Sequence, residues 1–338
     1  MKRILFLLVV VLCTFSCAQQ KTDKQVEKVT ETNRLTTDDP IIILSDSIVA
    51  DSTNSMLYVK RGQLYLQSQQ IAKSIQDISK AISLDNKNIE AYLTLSDIYY
   101  GMGDQENINL ALTRASQIDP QDPRPYSKLA ELSLLMQDYE RAMVFVDRAL
   151  ELDNFNPQSR YVRGMVFLAR KDTISAMRNF LMARDLDAYF FEPLHQIGTI
   201  YMAQHNPLAE DFLKDALQKY PNSVVARYQL AMYLQENGQP DAAIAHYDTL
   251  LQQHPNNSKF LYNIGYVNFI YKSDLQAALD YFNSSIQSEP QYIEAIFNKG
   301  RVLEEMGHTQ EARRQYIQVL DLHPNYALAI EALNRIDR

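Results

Sequence analysis

Six histidines and two cysteines are the side chains in this sequence best suited to hold a metal or to act as base and nucleophile. Their spacing assembles no reactive site. His254 and His323 both stand directly before a proline at equivalent places, which assigns them to turns. His195 falls inside a predicted helix with no metal-ligand set beside it. The acidic pairs, Glu304–Glu305 and Glu131 near Asp97, read as exposed helix residues. Nothing in the sequence would drive two such carboxyls to different pKa values, as acid–base catalysis requires. No HExxH, phosphate-cradling glycine loop or Gly-x-Ser-x-Gly elbow occurs. No catalytic residue, metal or cofactor is therefore expected.

The residues that do recur at fixed spacing are small ones. Gly62, Ser96, Ala130, Gly164, Gly198, Ala231, Gly265 and Gly300 follow one another at 34 residues, with one step of 33 and one of 35. With Ser55 as position 1 of the first unit, these occupy position 8, and Gly103, Gly238 and Gly307 occupy position 15. Position 24 is apolar in all units: Ile78, Leu112, Val146, Phe180, Leu213, Tyr247, Phe282 and Tyr316. Alanine dominates position 20, small residues position 27, and proline position 32 at Pro120, Pro221, Pro255, Pro290 and Pro324. Small residues at 8, 20 and 27 let two antiparallel helices approach closely, and the bulkier residue at 24 fills what remains. Glycine at 15 suits the turn between the helices, and proline at 32 ends the second one. Such a unit cannot bury its apolar face alone, so the units must stack.

This pattern resembles the tetratricopeptide repeat (TPR) family, notably in Gly265-Tyr266 with Ala277-Ala278 and in Gly300 with Glu311-Ala312 through Asp321-Leu322-His323-Pro324. The resemblance covers residues 55–326 and implies an all-α, right-handed α-solenoid of about eight TPR helix pairs. Ile41, Leu44 and Ile48 predict an N-terminal capping helix within 41–54, and 327–338 reads as a C-terminal capping helix.

The start of the chain carries an address. Lys2 and Arg3 precede an apolar run over 4–15, too short to span a bilayer and of signal-peptide length. It closes on Thr14-Phe15-Ser16-Cys17, which resembles a bacterial lipoprotein processing site in the style of the Bacteroidetes. The resemblance implies cleavage after residue 16 and acylation of Cys17. Residues 17–40 are polar and read as a flexible lipid-anchored tether, with a reach of roughly 25 Å. By the sorting rule of such lipoproteins, alanine at position 18 implies the outer membrane, with the periplasmic face expected and the cell surface as the alternative. Loss of Lys2 and Arg3 moves the formal charge from −8 to −10, which argues against nucleic acid as a partner.

In the fold so implied, the first helix of each pair lines a concave groove, with positions 2, 5, 9 and 12 on its inner side. In units four to eight the groove candidates are Tyr161, Met165, His195, Met202, Tyr228, Met232, Tyr262, Tyr266, Phe269, Phe297 and Arg301. Gln63, Glu90, Asp97, Arg124, Ser127 and Glu131 make the first three units polar. A methionine and aromatic stripe suits a peptide or helix; equally, such tyrosines are repeat filler that buries against the neighbouring helix. Asn263 and Asn298 at position 6 have the same two readings, contact with a peptide backbone or a tie between repeats. Some TPR proteins clamp a terminal carboxylate with Lys and Asn; Arg124 and Lys128 match two clamp positions, while Val59, Gln63 and Thr94 do not.

The expected function is a membrane-anchored, non-catalytic scaffold that binds another envelope protein or peptide in its groove, with no small-molecule substrate. Two variants of it are an accessory factor for peptidoglycan enzymes and a structural part of a secretion, pilus or gliding machine. An enzyme working through His195 is the remaining class.

Overall fold

A computed structural model describes residues 39–337, so the signal-like segment, Cys17 and most of the tether lie outside the described residues. Helix α1 (Pro40–Ala50) is followed by α2 (Ser55–Gln67) and α3 (Ile71–Leu84), then α4 (Ile89–Met102) and α5 (Gln105–Ile118). The third and fourth pairs are α6 (Pro123–Leu135) with α7 (Tyr139–Leu152), and α8 (Pro157–Ala169) with α9 (Thr173–Leu186). Next come α10 (Phe191–Ala203) with α11 (Leu208–Lys219), and α12 (Val224–Glu236) with α13 (Pro240–Gln253). The last two pairs are α14 (Ser258–Val267) with α15 (Leu275–Ser288), and α16 (Ile293–Glu305) with α17 (Thr309–Leu322); α18 (Ala327–Ile336) ends the array.

Side chains at the helix ends explain these boundaries. Asn54, Asn88, Asp122, Asn156, Ser223 and Asn257 each accept a backbone N–H at the start of a first helix. Asp104, Asp138, Asp172 and Asp274 do the same for second helices. Each such cap contributes on the order of 1 kcal/mol. His254 and His323 close α13 and α17, donating their N–H to Leu250 and Val319 carbonyls, and the prolines behind them prevent continuation.

Within a pair, position 8 meets position 24. A Cβ added to Gly62, Gly164, Gly198, Gly265 or Gly300 would come within 2.9, 2.6, 2.8, 2.9 or 2.6 Å of Ile78, Phe180, Leu213, Phe282 or Tyr316 respectively. The turn that follows needs a left-handed residue in every unit. Gly103, Gly238 and Gly307 supply it with φ of 72°, 71° and 82°, and Gln69, Gln137, Lys171, His205 and Ser273 adopt it with φ between 52° and 64°.

The two irregular units absorb their length differences locally. The extra residue of the seventh is taken up in a wide π-helical turn, Asn268–Lys272, after α14, so that Ser273 still reaches the left-handed position. The missing residue of the fifth is lost from the start of α11, where Ala209 donates to the Asn206 carbonyl at 3.0 Å around Pro207. Packing elsewhere is sequential, each helix against the next, with α1 laid on α2 through Ile48 and α18 on α17 through Ala329 and Ala332.

Candidate functional site

Three first helices also pack on the first helix of the next unit, α2 on α4, α6 on α8 and α10 on α12, and no two successive second helices pack to that extent. The tighter row lies inside the curve, so the first helices form the concave face. Its centre line is position 9: Gln63, Asp97, Glu131, Met165, Thr199, Met232, Tyr266 and Arg301, none of them fully buried. The line is polar and acidic in the first three units and mostly Met, Tyr and Arg afterwards.

Position 5 behaves differently. Tyr161, Tyr228, Tyr262 and Phe297 stack on the position-24 rings Phe180, Tyr247, Phe282 and Tyr316, with centroids 5.7, 6.0, 5.7 and 5.7 Å apart. A second ring closes each group on the other side: Phe190, Phe260, Tyr292 and Tyr326 at 5.4, 5.7, 5.2 and 5.4 Å. Burial drives the Tyr161 hydroxyl up to about 12 and raises those of Tyr228 and Tyr262 as well. These aromatics are repeat packing first and groove surface second.

Two predicted groove residues are corrected outright. Phe269 and Phe297 are core residues, 6% and 8% exposed: Phe269 clusters with Phe282 of its own unit and Val302 of the next, and Phe297 lies between Tyr316 and Tyr326. Asn263 and Asn298 are equally buried and join adjacent units: Asn263 Nδ2 donates to the Tyr228 hydroxyl at 3.0 Å, and Asn298 Nδ2 to that of Tyr262 at 3.1 Å. Of their two readings, the tie between repeats is the one the structure contains. Arg301 is half-buried, lies over the Phe269 ring at 4.8 Å and donates to Asn298 Oδ1 at 2.9 Å. His195 is half-buried beside Phe191, 5.8 Å between ring centroids, and burial holds its imidazole below the usual histidine range. Met165, Met202, Met232 and Tyr266 remain partly open along the face.

The N-terminal half is built from ion pairs. Arg124 joins Glu90 at 2.5 Å and Asp122 at 2.7 Å, and Lys128 joins Asp97 at 2.5 Å. Both cations at clamp-like positions are thus engaged by carboxylates of this chain. Ser127 is buried, 2.6 Å from Ser159. Two acidic residues expected on open helix surface are not there. Glu131 is largely buried under Gln158, whose Nε2 donates to it at 2.9 Å, and burial raises its carboxyl above the usual range. Glu304 accepts from the Tyr316 hydroxyl and from Arg335, which lowers its carboxyl.

Between α4 and α6 this half holds a cavity of about 260 Å³, lined by Ser96, Asp97, Tyr100, Ile108, Leu112, Lys128, Glu131 and Leu132. Sequence reasoning missed it. The signal was a small Ser96 facing an aliphatic Leu112, where units four, six, seven and eight place a ring. Among the described residues no three His, Cys, Asp or Glu side chains converge to hold a metal, and no helix is long and apolar enough to cross a membrane.

Stacked antiparallel helix pairs that share one inner face define an α-solenoid of the helical-repeat class. Residues 57–88, 228–293 and 294–326 each match a family model described as tetratricopeptide repeat. Among solved structures, the chain is similar to YrrB, "a TPR protein with an unusual peptide-binding site": 28% identity, 56% of this chain and 97% of that one covered, TM-score 0.50. It is similar in fold to the C-terminal part of a TPR repeat-containing protein from Cytophaga hutchinsonii, at 16% identity, 70% and 98% coverage and TM-score 0.59. The pilus biogenesis factor PilW gives 19% identity, 64% and 98% coverage and TM-score 0.53. The chain is a tetratricopeptide repeat protein.

Proposed function

We propose that this chain is a membrane-anchored, non-catalytic adaptor that holds a segment of another cell-envelope protein along its concave face. The observation that carries this reading is the centre line of that face. Met165, Met232 and Tyr266 on that line, with Met202 one turn further along α10, stay partly open, while the rings beside them are consumed in packing. Methionine and tyrosine adapt to varied apolar partners and so suit a peptide rather than one small substrate. The similarity to YrrB, whose structure is described as containing a peptide-binding site, supports the same class of ligand. Anchoring rests on the signal-like start and on Cys17, and places the solenoid at the outer membrane facing the periplasm. No metal, cofactor, nucleic acid or small-molecule substrate enters the reading.

Cross-linking in cells that make the full chain, followed by detergent extraction and pull-down, tests it. The chain is expected to return a defined envelope protein. The variant with Met165→Ala, Met232→Ala and Tyr266→Ala is expected to lose that protein while keeping its thermal unfolding midpoint within a few degrees. Equal recovery from both rejects the groove. A fixed multi-subunit assembly identifies a machine component, and a lone cell-wall enzyme identifies an accessory factor. Labelled palmitate on the wild type but not on Cys17→Ser is the expected sign of the anchor; no label on the wild type rejects it.

A further inference from the structure

Resting on that groove reading, we propose that the cavity between α4 and α6 receives one cationic side chain, lysine or arginine, of the bound segment.

In the second unit an aliphatic side chain stands at position 24, where half of the units place a ring. Units four, six, seven and eight place Phe180, Tyr247, Phe282 or Tyr316 against position 8, and an aromatic at position 5 covers it. The second unit has Leu112, Leu93 and Ser96 at those positions. About 260 Å³ is left open between the first helices of two successive units, at the groove's centre line. That is room for one long side chain.

Its walls select the kind. Ile108, Leu112 and Leu132 are buried and make an apolar floor. Asp97 and Glu131, both at position 9, supply carboxylates, and Tyr100 stands beside them, 64% exposed. An alkyl stem with a charged end matches apolar floor, carboxylate rim and aromatic face together. Lys128 is the one cation lining the cavity, and it is spent on Asp97. Glu131 accepts a hydrogen bond from the neutral Gln158 amide, and burial raises its carboxyl although the charge of Lys128 acts the other way. An apolar side chain in the cavity would strip water from both carboxylates without replacing it. A cation instead supplies the missing charge. The wider field is acidic as well: Glu90, Asp97, Asp104, Glu106, Asp119 and Asp122 of the second unit stand against its Arg114 and the third unit's Arg124 and Lys128, which pair with Glu90, Asp122 and Asp97. Because the open methionines begin one unit further on, at Met165, the basic residue belongs beside an apolar stretch of the ligand.

The test is selection of a displayed library of random twelve-residue peptides on the full chain, followed by binding of one synthetic consensus peptide. The selected peptides are expected to share a lysine or arginine at one fixed position next to apolar residues. Replacing that residue by norleucine is expected to weaken binding to the wild type on the order of tenfold or more. Against the folded variant Asp97→Asn with Glu131→Gln, the two peptides are expected to bind equally. A consensus without a fixed basic position overturns the proposal, as does norleucine binding as tightly as the basic residue. Both leave the groove reading standing. Should the double variant fail to fold, the wild-type comparison decides alone. A library that yields no binder at all removes the groove reading, and this proposal with it.

Discussion

Asn298 donates from Nδ2 to the hydroxyl of Tyr262, 3.1 Å away and 36 residues earlier in the chain. The same pair of types, Asn263 and Tyr228, repeats one unit before at 3.0 Å. Each bond crosses the boundary between two units, where a solenoid has only nearest-neighbour contacts to hold it together. A buried bond of this kind contributes about 1 kcal/mol net. Tyr262→Phe and Asn298→Ala are therefore each expected to lower stability by about 1 to 2 kcal/mol, with a coupling of about 1 kcal/mol in the double-mutant cycle. Urea unfolding followed by circular dichroism measures it. Strict additivity of the two changes would show that the bond holds nothing.

The contact between positions 8 and 24 makes a prediction of opposite sign at two glycines. Alanine at Gly300 would set its Cβ 2.6 Å from Tyr316 Cε1, and the fully buried Tyr316 ring has no room to retreat. A loss of about 1 to 3 kcal/mol is expected. At Gly101, inside α4, an added Cβ would meet nothing within 4 Å, so alanine there is expected to add about 0.5 to 1 kcal/mol through helix propensity alone. Thermal melts of Gly300→Ala and Gly101→Ala should move in opposite directions. A rise for both would mean that the two helices do not meet closely at position 8.

The repeat was legible because each unit must solve the same packing problem, and the small residue at 8, the large one at 24 and the proline at 32 are direct records of it. Which side of the first helix the position-5 aromatics serve was harder to read. A tyrosine at helical spacing satisfies both a groove and a neighbouring helix, and periodicity cannot separate the two. The discriminating sign was pairing between positions. Aromatic 5 occurs with aromatic 24 in Tyr161/Phe180, Tyr228/Tyr247, Tyr262/Phe282 and Phe297/Tyr316, while Val59/Ile78 and Leu93/Leu112 are aliphatic together. Phe269 departs from its expected place for another reason. It sits in the wide turn at Asn268–Lys272, clustered with Ala278 and Phe282 of its own unit and Val302 of the next. Glu131 reads as surface because nothing in its neighbourhood of the sequence announces Gln158, which comes from the next unit and covers it.

The turn at position 15 offers a stability gain. Lys171 and Gln137 hold φ of 64° and 60°, a region that costs a side-chain-bearing residue about 1 to 2 kcal/mol and glycine little. Lys171→Gly and Gln137→Gly are each expected to raise stability by about 0.5 to 1 kcal/mol, after glycine's greater freedom in the unfolded chain is set against the relief. The reverse change, Gly238→Ala at φ 71°, is expected to cost about 1 kcal/mol. Chemical denaturation of the three variants against the wild type checks both signs. Insensitivity at all three would mean the backbone does not stay left-handed there.

The half-buried His195 sets a pH dependence whose sign follows from its surroundings. Burial holds its imidazole below the ordinary value of 6.5, so in the window just under pH 6.5 the unfolded chain binds a proton that the folded one refuses. Stability is therefore full above the unfolded value and falls as the solution is acidified through that window. His246 works in the same direction, through burial first and then the charges of Arg227 and Lys214. Replacing His195 alone should flatten the acid side of the curve without abolishing it. His195→Phe keeps a ring against Phe191 and carries no proton to take up. Unfolding midpoints of this variant and of the wild type, measured from pH 7.5 down to pH 5, are expected to converge or cross toward acid. Parallel curves would mean that His195 takes up its proton as readily in the folded chain as in the unfolded one.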